Sequence, residues 1–244
     1  MAGLLPPLIF PDEGYDITNQ AVQVIPQEFR NMVIEHALVE FLKVGTDNTP
    51  VEIINAAKNH VILKLDFRHG GYDGYEGVRI NVLPNIQEYE DQFEDGSAYQ
   101  PGKLCVKPVA YPGLSHSSAR TCQIDFVAGK TLDWVLGVLC TRNLMHFFSF
   151  VVLNDRYYGC RDFITQTLYQ LHMGGATSGC ITSTAPVQPT LPAGVTSAFT
   201  ALGFRYMAEP LGQPYPCPVD RGLFQYYQRV EMAYMPYEVT HSLG

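Results

Sequence analysis

The chain has 244 residues, of which 16 are Lys or Arg and 24 are Asp or Glu, giving a formal net charge of -8 at pH 7. With 46% hydrophobic and 16% charged residues, against roughly 25% charged in an average domain, it is too apolar for a disordered segment and long enough to bury a substantial core. Scattered basic residues on an acidic chain exclude nucleic-acid gripping, and the most apolar run, residues 147–153 (FFSFVVL), falls far short of the ~20 residues of a membrane span.

Residues 1–25 read as an N-terminal arm, proline-containing and without a sustained period. Its apolar patch has no basic residue before it and is broken by prolines, unlike a secretory signal. Residues 26–45 are ambiguous. Phe29, Met32, Val33, Ala37 and Phe41 fit a helical stripe, yet 33–42 is apolar enough for a buried strand. Residues 59–67 (NHVILKLDF) are a clearer strand, ending at the turn-rich stretch that contains Tyr72. Residues 77–83 (GVRINVL) alternate Val78, Ile80 and Val82 against Arg79 and Asn81, so the two segments predict an antiparallel hairpin with one buried face. Residues 86–113 read as a long connection and 121–127 as a third strand. Thr131 is a fitting N-cap for a short helix carrying Leu132, Val135 and Val138. Residues 147–153 form a buried strand by composition. Gly159-Cys160 then opens a helix whose Phe163, Ile164, Leu168 and Leu171 share a face, closed by Gly174-Gly175.

Beyond Gly175 the composition changes. Residues 176–198 contain no charged side chain and read as a linker. Residues 199–244 form an aromatic and proline-rich C-terminal extension, with a helix drawn only over 223–232. The fold expected is α+β: one domain over 26–175, with an antiparallel or mixed sheet packed on helices. The six cysteines show no C-x-x-C spacing, and their density is below that of secreted disulfide scaffolds. With no N-x-[ST] acceptor, these features point to a cytoplasmic protein with reduced thiols.

The pair that carries chemistry is His60, on the first clear strand, and Cys160, at a helix start. The unpaired N–H groups and dipole of a helix N-terminus favour a thiolate, and Arg161 adds a cation. An imidazole facing that thiol completes a nucleophile and base. Asn81, on the next strand, can orient the ring because its side-chain oxygen accepts from an imidazole N–H. The plainer reading of Cys160 is a small residue packed at a helix entrance. Asp66 and His69 beside the turn are too few for a closed metal site, so neither metal nor cofactor is expected. Residues 113–117 (GLSHS) approach a nucleophile elbow without its final glycine.

In chain order there is a histidine on a strand, a second strand, a long insertion, and Gly159-Cys160-Arg161-Asp162-Phe163 opening a helix. This order resembles the circularly permuted papain-like group, which includes the lecithin–retinol acyltransferase and PPPDE types. The same segments are similar to an uncharacterised fungal domain family with Asn-His-Trp, Val-Arg-Leu-Asn and Gly-Cys-Arg motifs. Here Asn59-His60-Val61 and Val78-Arg79-Ile80-Asn81 stand at the first two of them. The resemblance covers residues 33–175 and implies a papain-like fold with acyl transfer or hydrolysis through a thioester. Cys160 is then nucleophile, His60 general base and Asn81 orienter, with Arg79, Arg161 and Tyr72 as candidate substrate-binding groups.

Two other readings stay open. One is a cyclase, isomerase or pocket protein of fungal secondary metabolism, without a thiol nucleophile, in which Arg79, His60 and Tyr72 line a cavity for a small apolar molecule. The other is a non-catalytic interaction module presenting acidic loops. The first requires an apolar cavity from which Cys160 is turned away, and acyl transfer requires Cys160 and His60 within hydrogen-bond reach.

Overall fold

The computed structural model describes residues 10–19, 22–44, 57–68, 71–88, 91–92, 98–154, 156–176, 198–208 and 213–230. The first strand, β1 (Tyr15–Asp16), lies along Val106 and Cys105 and attaches the arm to the sheet. Ahead of it, the Phe10 ring packs edge-on against Tyr75 and Phe29. The ambiguous 26–45 segment divides into a single helical turn, α1 (Gln27–Arg30), and a nine-residue strand, β2 (Ile34–Leu42). Phe29 alone of the α1 residues is buried, so the helical stripe has nothing further to bury and the apolar run behind it goes into the sheet.

The expected hairpin is present as β3 (Val61–Phe67) and β4 (Gly77–Pro84), paired antiparallel from Leu63↔Ile80 to Asp66↔Gly77. β3 departs from the expectation of one buried face: all seven of its residues are buried, because β2 and β4 flank it and layers of chain cover both sides. After β5 (Asp91–Gln92) comes the largest departure. The stretch read as a connection contains a twelve-residue strand, β6 (Ala98–Val109). Pro101, Gly102 and Pro108 hide it from a propensity reading. In the sheet Pro101 and Gly102 mark the place where β6 changes neighbours. Residues 102–109 pair with β4 and residues 98–101 with a later strand, β8 (Phe148–Leu153). A side chain at Gly102 would lie 2.8 Å from the Phe148 carbonyl oxygen, so glycine permits that crossing.

β7 (Ser118–Asp125) closes one edge against β2. Thr131 then accepts from the Trp134 N–H at 3.2 Å and caps α2 (Leu132–Leu136), which widens into a π-helical turn over Gly137–Arg142. β8 (Phe148–Leu153), a left-handed turn at Asn154, and β9 (Arg156–Tyr158) lead into α3 (Cys160–Met173).

The C-terminal part builds directly onto this body. α4 (Ala198–Leu202) packs on β7 and α3. β10 (Phe204–Tyr206) and β11 (Pro214–Pro216) form a small hairpin, and β12 (Leu223–Phe224) pairs with β8. The helix drawn over 223–232 is therefore absent through residue 230. The aromatic spacing instead belongs to an extended segment whose Phe224 ring meets Phe148, Phe163 and Tyr227. The linker expected at 176–198 and residues 231–244 lie almost wholly outside the described residues.

The main sheet runs in the order β7-β2-β3-β4-β6-β8-β12, with every described pairing antiparallel. The architecture is α+β, one large antiparallel sheet carrying α3 across β3. No helix among the described residues is long and apolar enough to cross a membrane. α3 is buried nearly all round, polar residues included, because the chain at 198–230 covers the side that the sheet leaves open.

Candidate active site

The site forms where the start of β3 meets the start of α3. Asn59 is 1% exposed and acts as a clamp. Its amide nitrogen donates to the carbonyls of Leu42 and Tyr206 at 2.8 Å each, and its oxygen accepts from the Tyr206 N–H at 2.6 Å. The β2 end, the β3 entry and the β10 hairpin are thus tied at one side chain. His60 follows, held to β2 by its carbonyl, which accepts from Leu42 N–H at 2.9 Å.

The Asn81 oxygen lies 2.6 Å from His60 Nε2. A side-chain amide oxygen only accepts, so Nε2 carries the proton and Nδ1 is left for the thiol. Cys160, half-buried as the first residue of α3, lies beside His60 and lines the same cleft. Burial pushes the Cys160 thiol up. The hydrogen bond and charge of His60, the Val61 backbone N–H and the Arg161 guanidinium outweigh that burial and bring it below the ordinary thiol value. Burial likewise opposes the charged imidazole, yet the bond to Cys160, its charge and the bond to Asn81 hold His60 above its ordinary value. The other thiols behave differently: burial pushes Cys105 up to about 11, and Cys122 and Cys140 up to about 12. The five described cysteines are all free.

Gly159 sets the direction from which Cys160 is presented. Its φ of 123° is a left-handed conformation, and an added Cβ would lie 2.9 Å from the Gly222 Cα and 3.0 Å from the Phe148 ring. The three first N–H groups of α3 have no carbonyl earlier in the helix to bond, and no side chain caps the helix at Gly159.

Cys160 and His60 line a cleft of about 290 Å³, together with Ala57, Lys58, Asn59, the β9 residues Arg156, Tyr157 and Tyr158, Gly159, Arg161 and Asp220. Lys58 bridges the cleft to Asp220 with Nζ 2.8 Å from both carboxylate oxygens, and lies over the Tyr158 ring at 5.5 Å. Sequence reading missed Lys58, Arg156 and Asp220. Lys58 stands two residues before His60 and was within reach of the motif. Asp220 comes from the C-terminal segment, and no local pattern announces that it returns to the site.

Of the remaining candidates, Arg161 lines the cleft from within and is 2% exposed. Arg79 does not reach the cleft. It shares a strand face with Asn81 but pairs with the buried Glu40 at 3.1 Å and donates to Ser115 Oγ at 2.5 Å. Tyr72 sits in the turn at the far end of β3, its ring against Phe29. Neither Arg79 nor Tyr72 is among the residues that line this cleft. Ser115 belongs to the loop between β6 and β7, not to a strand-to-helix elbow. Asp66 is engaged by Lys64, by His36 at 3.2 Å and by the Gly113 N–H at 2.7 Å, and His69 lies outside the described residues. No cluster of three metal-ligating side chains occurs among the described residues.

Comparison of the chain with protein-family models, with curated proteins and with solved structures finds no match.

Proposed function

We propose that the protein is a cysteine-dependent acyl hydrolase or acyltransferase working through a thioester on Cys160. The observation that carries this reading is the Cys160 thiol in one cleft with His60, an imidazole whose Nε2 lies 2.6 Å from the Asn81 oxygen. The Cys160 sulfur, held as thiolate by protonated His60, attacks the carbonyl carbon of an ester, thioester or amide. The carbonyl π pair moves onto oxygen. The Cys160 backbone N–H, unpaired at the helix start, is placed to donate to that oxyanion. Collapse of the intermediate expels the leaving group, which takes the proton from His60, and leaves a thioester. Water or an acceptor nucleophile then gives its proton to His60, attacks the thioester carbonyl and frees the Cys160 thiolate.

Asn81 keeps Nε2 occupied, so that each proton passes through Nδ1. The chain order of strand histidine, strand asparagine and helix cysteine supports a permuted papain-like relationship as part of the proposal. The pocket-protein alternative needs Cys160 turned from the cavity, whereas Cys160 lines it.

The test is the rate of iodoacetamide alkylation at each cysteine between about pH 5 and 9, read by mass spectrometry, in the native protein and in His60→Ala. Cys160 is expected to react at least tenfold faster than Cys105, Cys122 and Cys140 below pH ~7, and to lose that lead without His60. A Cys160 that titrates like a free thiol near ~8.5 overturns the reading.

A further inference from the structure

The charge lining the cleft runs against that of the chain as a whole. Three cations, Lys58, Arg156 and Arg161, face one carboxylate, Asp220, in a protein of net charge -8. Lys58 and Asp220 satisfy each other. Arg161 is nearly sealed in: its Nη1 donates to the carbonyls of Leu202 and Cys217 at 3.2 and 3.3 Å, while Nε and Nη2 have no hydrogen-bond partner. Asp162, next along α3, is committed to the Gly222 N–H and to Arg229. A buried guanidinium without a counter-charge is costly, and in the acyl-transfer reading the anion beside it in the resting protein is the Cys160 thiolate, a form that Arg161 favours. That anion disappears on acylation, because a thioester is neutral. At the mouth, Arg156 on β9 is exposed, and its side chain makes no hydrogen bond or ion pair with any described residue.

We infer that the cleft takes a short acyl group that itself carries a carboxylate, contacted by Arg156 at the mouth and stabilised by the field of buried Arg161. The inference rests on the acyl-transfer reading and deepens it. The substrate's anion restores the balance that acylation removes. Field from Arg161 acts through protein rather than water, where a charge is felt more strongly, while Arg156 can offer a forked, bidentate contact. The volume, about 290 Å³, falls just below the ~300–1,000 Å³ of ligand sites and suits a compact dicarboxylic monoacyl group rather than a long aliphatic chain.

Two alkylating probes differing only in charge test this. The thiolate displaces iodide from iodoacetate or iodoacetamide, with one S–C bond formed and one C–I bond broken. The ratio of the two second-order rates cancels any effect on the thiolate itself. The ratio of iodoacetate to iodoacetamide at Cys160 is expected to exceed that of glutathione at the same pH at least tenfold, to fall at least fivefold in Arg156→Gln and further in Arg156→Glu, and to decline with salt. Fast iodoacetamide reaction with the glutathione ratio overturns the carboxylate inference and leaves acyl transfer standing. A high ratio unmoved by either Arg156 variant also overturns it, since the imidazolium alone then accounts for the preference. Slow reaction with both probes overturns the acyl-transfer reading beneath it. At substrate level, p-nitrophenyl hemisuccinate is expected to be hydrolysed with kcat/KM at least tenfold above p-nitrophenyl butyrate, and equal values count against the inference.

Discussion

His60 can face the thiol with one ring nitrogen because Asn81 occupies the other, at 2.6 Å. Both members of the Cys160–His60 pair are shifted toward their charged forms, and the two shifts define a pH window. The raised imidazole contributes fully below its ordinary ~6.5 and loses that contribution as pH rises through its folded value. The depressed thiol contributes fully above its ordinary ~8.5 and loses it as pH falls through its folded value. Acyl transfer through this pair is expected to follow a bell in pH, its acid limb set by formation of the thiolate and its alkaline limb by loss of the imidazolium, both limbs belonging to the coupled pair. Asn81→Ala removes a hydrogen bond to a charged group, worth ~1.5–3 kcal/mol. It should lower turnover by about 10- to 100-fold and move the alkaline limb to lower pH. Asn81→Gln, which keeps an accepting oxygen, should recover part of both effects. An Asn81→Ala enzyme with an unchanged alkaline limb would show that Asn81 packs beside the ring without holding it.

At the scale of elements, the catalytic pair depends on how two strand ends and one helix start are tied together. From the β3 entry, Asn59 makes three hydrogen bonds to backbone groups of two other segments, one at Leu42 and two at Tyr206. Asn59→Ala strands those buried groups and is expected to cost roughly 3–5 kcal/mol, seen as a lower urea midpoint, and to slow Cys160 alkylation under conditions where the variant is still folded. A loss under ~1 kcal/mol would mean that water replaces the clamp. The sequence disclosed His60, Asn81 and Cys160 because each sits at a recognisable place: a strand entry, a polar position in an alternating strand, a helix start after glycine. It disclosed neither Asn59's clamp nor Asp220, since both depend on segments about 150 residues apart coming together. β6 was hidden for a different reason. Its two prolines and its glycine are unfavourable in a regular ladder, and they are accepted because the strand changes partners at Pro101-Gly102. The aromatic run after Leu223 has a helix-like spacing that comes instead from burial of Phe224 among Phe148, Phe163 and Tyr227.

Over the whole molecule, α3 works as a central helix, and Gly222, Tyr227 and Val230 supply hydrogen bonds to three of its polar side chains, Asp162, Gln166 and Gln170. Gln166 accepts from the Val230 N–H and from Tyr227 Oη–H at 2.9 Å each and donates back to the Val230 carbonyl, Gln170 donates to Tyr227 Oη, and Asp162 accepts from the Gly222 N–H at 3.0 Å. This is why the chain beyond Gly175 functions as part of the domain: without it the first turn of α3, which carries the nucleophile, would lose the cover on one side. Asp162 shows the strain in that arrangement. It is 0% exposed, and burial raises its carboxyl from 3.8 to about 6 despite Arg229 and the Gly222 N–H. A carboxyl raised on folding contributes stability that is fully present below its unfolded value of 3.8 and lost as pH rises through about 6. Asp162→Asn keeps an oxygen to accept from Gly222 and removes the titration. Its stability relative to the native protein is therefore expected to improve between about pH 4 and 7, by at most ~3 kcal/mol, as read from paired urea or thermal melts. The histidines titrate in the same range, but they are common to both proteins and cancel in the difference. Parallel pH curves for the two would mean that Arg229 neutralises Asp162 fully, and that the C-terminal segment is held to the nucleophile helix by an ion pair instead of by a buried acid.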